Sequence, residues 1–181
     1  ALLARCLEAL QRQSIERDAY EIIVVDNGTP GGLGVVAQNA PGVQFLFESR
    51  RGAAHARNAA VGVARGDIIA FTDADCIPAP DWLACGEAAL AEAELVGGPI
   101  EVFVSDPAHP TAVESFERVF AFRQRDYVMR KGFAATANLF ATRAASLAIG
   151  PFRNGLSEDV DWCRRGLTLG FRLAFNDTAR V

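Results

Sequence analysis

The stretch DIIAFTDADCIP, residues 67–78, joins an apolar, β-branched run to two carboxylates one residue apart. DIIAF (67–71) reads as a buried strand of a parallel sheet, and DADCIP as the loop at its carboxyl end. Like charges at Asp73 and Asp75 repel unless something positive lies between or beside them. A divalent cation is the usual remedy, and Mg²⁺ or Mn²⁺ takes one or two carboxylates together with phosphate oxygens of a substrate. The spacing therefore predicts a metal site for a diphosphate. A pair of solvated turn residues closed by Pro78 and Pro80 is the plainer reading of the same letters.

Outward from this strand the pattern alternates. EIIVV (21–25) runs into Asp26-Asn27-Gly28, and VQFLF (43–47) is a second short apolar strand. AHARNAAVGVA (54–64), after Gly52 and before Gly66, predicts a helix, as does the segment from Asp81, its expected N-cap, to about Leu90. ELVGGPIEVFV (94–104) is strand-like but broken by Gly97, Gly98 and Pro99. TAVESFERVFAFRQRDYVM (111–129) carries Val113, Phe116, Phe120 and Tyr127 at near-helical spacing and is expected as one amphipathic helix. A short strand in ATANLFAT, a helix over 158–169 and a last strand FRLAF (171–175) follow. The chain opens in a helical pattern, ALLARCLEALQRQ, without Met or an N-cap, so the alternation predicts a first strand upstream of Ala1. Alternating strands and helices give a mostly parallel sheet with ligands outside the carboxyl ends of the strands. Asp26, Asp73 and Asp75 all fall there.

Composition bounds the setting. The 181 residues, 50% apolar and 22% charged, fit one globular domain spanning 1–181. A net charge of -4 lacks the basic footprint that nucleic-acid binding needs. Cys6, Cys76, Cys85 and Cys163 form no CxxC pair, so the reading is free thiols in a cytoplasmic protein rather than zinc or redox chemistry. No run of eighteen apolar residues spans a bilayer, so any membrane contact is peripheral. Phosphatases of the haloacid dehalogenase type also place DxD after a strand, but they continue to a Thr where this chain has Ile77. They also need a lysine, and Lys131 is the sole one.

VVDNG (24–28), RGAAHARN (51–58), the DAD loop, TANLFATR (136–143) and SEDVDWCRR (157–165) follow one another in order. In that order and spacing the chain resembles the inverting family 2 glycosyltransferases of the GT-A fold, over nearly its whole length. The resemblance implies an α/β fold, Rossmann-like, of three layers α/β/α with a mostly parallel central sheet, here without its first strand and its C-terminal portion. It implies that Asp26, with Asn27 beside it, binds the nucleotide base, that Arg57 flanks that base, and that Asp73 and Asp75 hold Mn²⁺ or Mg²⁺ and the sugar-nucleotide. Asp159 of SED is implied as general base, with Glu158 as its substitute. Trp162 and Asn138 are the implied acceptor contacts, although an aromatic on such a helix is as often core. Asn58 reads as a packing or capping residue.

The implied function is transfer, with inversion, of a hexosyl or rhamnosyl group from a UDP or dTDP donor to a hydroxyl of a glycan or lipid-linked acceptor, as in cell-surface polysaccharide synthesis. The implied location is the cytoplasm, at the inner face of the membrane. Phe116, Phe120 and Phe122 with Arg118, Arg123, Arg125, Arg130 and Lys131 read either as a lipid or membrane contact or as packing across the sheet. Two other classes remain as alternatives. One is a non-catalytic sugar-nucleotide-binding domain of the same fold. The other is a nucleotidyltransferase, although TPGGLG (29–34) lacks the basic residue its phosphate loop would need.

Overall fold

Alternate side chains of β3 (Ile68–Thr72) enter opposite faces of one sheet. Ile69 and Phe71 join Leu95, Leu139, Ala141 and Trp162 in one core, whereas Ile68 and Ala70 pack on Val96, Phe140 and Trp82 in another. This is the two-residue period of a strand, and its burial on both sides makes the sheet the middle of three layers. The computed structural model describes residues 2–104, 106, 109–155 and 157–181, apart from the side chains of Val119 and Phe120. Its elements run α1 (Leu2–Gln11), β1 (Ile22–Asp26), α2 (Gly34–Gln38), β2 (Val43–Phe47), α3 (Ala53–Val63), β3, α4 (Trp82–Ala89) and β4 (Leu95–Gly97). They continue with α5 (Ala112–Phe120), α6 (Gln124–Asp126) prolonged by a π-turn (Tyr127–Lys131), β5 (Asn138–Thr142), α7 (Arg143–Ile149), α8 (Glu158–Thr168) and β6 (Leu173–Phe175). Side chains from α3, α7 and α8 fill the first core, and side chains from α1 and α4 fill the second.

β1 and β2 pair in parallel, with Asp26 opposite Phe47. The other four strands lie in the order β3-β5-β4-β6. β5 opposes both neighbours while β4 and β6 are parallel, so β3, β4 and β6 run one way. The two-stranded β1-β2 sheet thus has the expected parallel character, while the four-stranded sheet is mixed because β5 opposes both of its neighbours. Its reversal sets Asn138, at the start of β5, against Thr72, at the end of β3. The TANLF motif therefore lies beside the carboxylate loop.

One expectation is corrected, one strand is shorter than its apolar stretch, and one helix is added. The single helix over 111–129 breaks after Phe120: Ala121 is extended (ψ 150°) and Phe122 is left-handed (φ 49°). The cause lies in Gln124, whose buried amide accepts from Ala135 N (2.9 Å) and donates to the carbonyls of Ala135 (3.2 Å) and Asn138 (3.0 Å), drawing the chain inward. Phe120, singled out from the sequence, has its side chain outside the described residues. ELVGGPIEVFV keeps only three strand residues, because Gly98 approaches Ala179 so closely that a Cβ would lie 1.9 Å from its carbonyl oxygen. α7, absent from the sequence reading, starts directly at the end of β5, where Thr142 Oγ1 accepts from Ala145 N at 3.2 Å and caps it. Asp81 does stand at the N-cap position of α4 but makes no side-chain capping bond.

α4 packs on β5 through a glycine. A Cβ added at Gly86 would sit 2.2 Å from the Phe140 ring. Gly86→Ala is expected to destabilise by about 1–3 kcal/mol, read from the urea midpoint. Phe140→Leu, itself destabilising, should recover part of that loss in the double mutant, since the two side chains share one space.

Candidate active site

β1 delivers Asp26 to its carboxyl end, where Oδ1 accepts from the backbone N–H groups of Gly28 (3.1 Å) and Thr29 (2.8 Å). These bonds, that to Thr29 first, hold its carboxyl below the usual range. Asn27 differs from its expected role. Its Nδ2 donates to Glu48 O (2.7 Å) and Arg50 O (2.8 Å), and its Oδ1 accepts from Gly52 N (2.7 Å). Both amide hydrogens are spent inside the protein, so Asn27 ties the β1 loop to the approach of α3 rather than offering them to a nucleotide. Gly52 itself has φ 127°, and a Cβ there would lie 2.5 Å from Asn154 Oδ1. Only glycine lets α3 start so close to the loop that precedes α8.

α3 then contributes two consecutive residues. Arg57 Nη1 lies 2.6 Å from Glu158 Oε1 and Nη2 lies 3.3 Å from Asp73 Oδ1, with the guanidinium 5.9 Å from the centre of the Phe152 ring. Its side chain is only 17% exposed. The sequence places Arg57 beside a base; in the structure it joins the DxD loop to the SED helix. Asn58 donates from Nδ2 to Phe152 O and accepts Phe152 N on Oδ1, each at 2.8 Å. The packing role expected of Asn58 holds, with a partner 94 positions away.

The four carboxylates differ in their company. Burial raises the Asp73 carboxyl above its ordinary value, Arg57 pulls it back, and Asp75 and Asp159 add to the rise. Asp75 is exposed on the turn that Cys76 N closes on Asp73 O (3.1 Å). Glu158 is tied to Arg57, whereas Asp159 accepts only from Val160 N (2.8 Å) and has no ion pair among the described residues. Of two adjacent acids at the start of α8, one is fastened and one is available. Among the described residues no three His, Cys, Asp or Glu side chains form a cation cage. Asp73 and Asp75 together offer the hard oxygen donors that Mg²⁺ and Mn²⁺ prefer, in the number those ions take from protein when phosphate supplies the rest.

Trp162 and Asn138, expected as acceptor contacts, lie in the core. Both are 0% exposed. Trp162 stacks on Phe152 (centroids 4.9 Å) and donates from Nε1 to Gly150 O (2.9 Å). Asn138 accepts from Trp82 Nε1 (2.9 Å) and donates to Pro99 O (2.8 Å) and Ala179 O (2.7 Å). Neither has a face or a polar hydrogen left for a sugar. A cleft of about 650 Å³ lined by Asp67, Leu90, Thr142 and Leu147 opens at the amino end of β3, the end opposite to the carboxylates.

The raised Asp73 carboxyl has a pH signature. A folded-state value above the unfolded 3.8 means that the folded chain holds its proton longer, so stability is lost as pH rises through that window. Asp73→Asn removes this loss. It is expected to melt higher than the parent at neutral pH without added cation, with the gap closing below pH 3.8, as read by thermal melts across pH.

Known proteins resemble this chain in sequence and fold. The family described as Glycosyl transferase family 2 matches residues 1–148. Glycosyltransferase AglE of Haloferax volcanii is 31% identical over 182 residues, which is 96% of this chain and 59% of AglE. Mannosyltransferase PcManGT from Pyrobaculum calidifontis, solved in complex with GDP-Man and Mn²⁺, superposes with a TM-score of 0.70 at 24% identity, covering 99% of this chain and 52% of its own. S. aureus TarS 1-349 superposes at 0.70 with 18% identity, covering 98% and 54%. The chain spans a little over half the length of these relatives. Its three layers are those of the GT-A fold, and the chain belongs to glycosyl transferase family 2.

Proposed function

We propose that this chain is the donor-binding part of an inverting glycosyltransferase that moves a hexosyl or rhamnosyl group from a UDP or dTDP donor to a hydroxyl of a glycan or lipid-linked acceptor. The observation that carries the reading is the linkage of the Asp73 carboxylate, through Arg57, to the helix start bearing Asp159. Donor-side and acceptor-side groups are thereby held in one frame.

Each residue then has a task. Asp26 has Oδ1 committed to the backbone of Gly28 and Thr29 and also meets the Thr29 side chain, so what remains of its carboxylate suits the single imide N–H of uracil or thymine better than the paired N–H groups of guanine. Asp73 and Asp75 would hold Mg²⁺ or Mn²⁺, which when bound supplies Lewis-acid stabilisation of the departing diphosphate. Arg57 keeps Asp73 in place and offsets part of the negative charge gathered there. Asp159 takes the proton of the acceptor hydroxyl as that oxygen bonds to the anomeric carbon and the bond to the diphosphate breaks on the opposite side. The products are the inverted glycoside and the free nucleoside diphosphate.

Asp159 rather than Glu158 is assigned as base because Glu158 is engaged by Arg57 at 2.6 Å. Four free thiols suit a reducing compartment, the cytoplasm, and no helix among the described residues is long and apolar enough to cross a membrane. We therefore place any membrane contact at the inner face and on the surface of the domain. The phosphatase reading lacks its lysine at the carboxylates, since Lys131 lies 3.6 Å from Asp126 on the π-turn.

Calorimetric titration of UDP, dTDP and GDP, with and without Mn²⁺, tests donor binding. Binding of UDP or dTDP only with the cation, lost in Asp75→Ala, is the expected result; no binding to any nucleotide would remove the reading. Release of nucleoside diphosphate from the donor tests the base. Asp159→Asn should lower turnover by about 10²–10⁴-fold while leaving UDP affinity nearly unchanged. Glu158→Gln, which loosens Arg57, should weaken donor binding as well.

A further inference from the structure

At the carboxyl ends of β4 and β6, across β5 from the carboxylate loop, the corner between α5 and α6 lines a cleft of about 640 Å³ whose walls include Ile100, Phe122, Arg123, Arg125, Met129 and Arg130. Three features of this corner stand together. The first is backbone strain. Phe122 has φ 49°, a left-handed conformation that a bulky residue adopts only when its surroundings impose it. Gln124 N donates to Phe122 O at 2.6 Å across Arg123 (φ -68°, ψ 60°), an inverse γ-turn, and the buried Gln124 amide anchors that turn in the core. The turn thus leaves Phe122 and Arg123 exposed, side by side.

The second feature is apolar exposure. Phe122 is 44% exposed and Met129 65%, and α5, which leads into the corner, leaves Val113 and Phe116 exposed one turn apart. The third is charge. Arg123, Arg125, Arg130 and Lys131 gather here in a chain whose net charge is -4, against Asp126 and Asp177. Arg125 binds Asp177 at 2.9 Å, and Arg130 and Lys131 share Asp126, while Arg123 has no ion pair among the described residues. Cations beside outward apolar side chains complement a surface of anionic headgroups over hydrocarbon.

We propose that this corner docks the domain on an anionic bilayer, with the phosphates of the lipids in the arginine-lined cleft and Phe122 and Met129 entering the headgroup boundary. The proposal deepens the membrane contact placed above and rests on the transferase reading only for its purpose, which is to hold the domain where a lipid-linked acceptor is presented. The binding itself requires no nucleotide.

The test is co-sedimentation of the chain with vesicles of phosphatidylcholine, alone or enriched in phosphatidylglycerol, without nucleotide. Binding to the enriched vesicles only, weakening with salt, is expected. Arg123→Ala should lower the partition about fivefold, the share of one cation near an anionic surface. Phe122→Asn, a polar residue that tolerates φ 49°, should fold with a cooperative melt close to the parent's and yet bind vesicles several-fold more weakly. Loss of binding with the melt retained separates a docking role from a fold defect. Equal binding to neutral vesicles, no binding to enriched ones, or parental binding by both variants would each overturn the proposal. Displacement by millimolar inorganic phosphate would make the cleft a site for soluble anions, and capture of polyglutamate without vesicle binding would make it a site for an acidic protein; either result also overturns it. Since no donor is present, a failure here is distinct from a failure of the transferase reading, which the calorimetry decides.

Discussion

One guanidinium serves two carboxylates at the carboxyl end of this sheet. Arg57 reaches Asp73 on the loop after β3 and Glu158 at the start of α8, and the bond to Glu158 is short and charge-assisted. Asp75 and Asp159 both act on Asp73, and Arg57 is the positive group that opposes them there. Much of the local architecture serves to bring Arg57 there. Asn58 locks α3 to Phe152 by two hydrogen bonds, Gly52 permits the close approach to Asn154, and Asn27 fastens the preceding loop to β1. Phe152 supports the guanidinium with its ring and is backed by Trp162 and Phe71. A polar bridge rests on a floor of buried aromatic rings.

The same arrangement explains why this end of the molecule is electrostatically unfavourable for the protein by itself. Burial and neighbouring acids raise Asp73 although Arg57 opposes them. A loop that accumulates negative charge is poised for positive charge from outside, and a cation bound there would recover the stability lost. Strain at Phe122 has the same character at another place. Backbone energy is stored where an aromatic side chain must face outward, and it is held there by a glutamine buried in the core.

The sheet carries these devices because it is packed closely at a few glycines. Gly98 admits the carbonyl of Ala179, and Gly86 admits the ring of Phe140. Asn138, buried between β5 and the last residues, converts those approaches into hydrogen bonds with Trp82, Pro99 and Ala179. Its place beside the carboxylate loop follows from the reversed direction of β5, and its work there is structural.

The strands at 21–25, 43–47 and 67–71, the helix at 158–169 and the carboxylates at the strand ends were legible in the sequence, because the period of apolar residues and the punctuation by glycine and proline are local properties. So was the family, through short motifs in order. What the letters left open depended on partners far along the chain. Nothing near Arg57 names Glu158, 101 positions away, and nothing near Trp162 says that the indole N–H is satisfied by Gly150 and its ring by Phe152. The break after Phe120 was hidden for the same reason, since helical periodicity continues through 121–123 and only the buried bonds of Gln124 interrupt it. Sequence alone determined which chemical groups stand at the carboxyl end of the sheet. Tertiary structure decided which of them are engaged with one another and which remain free, because hydrogen bonds and burial between distant segments form only when the layers close.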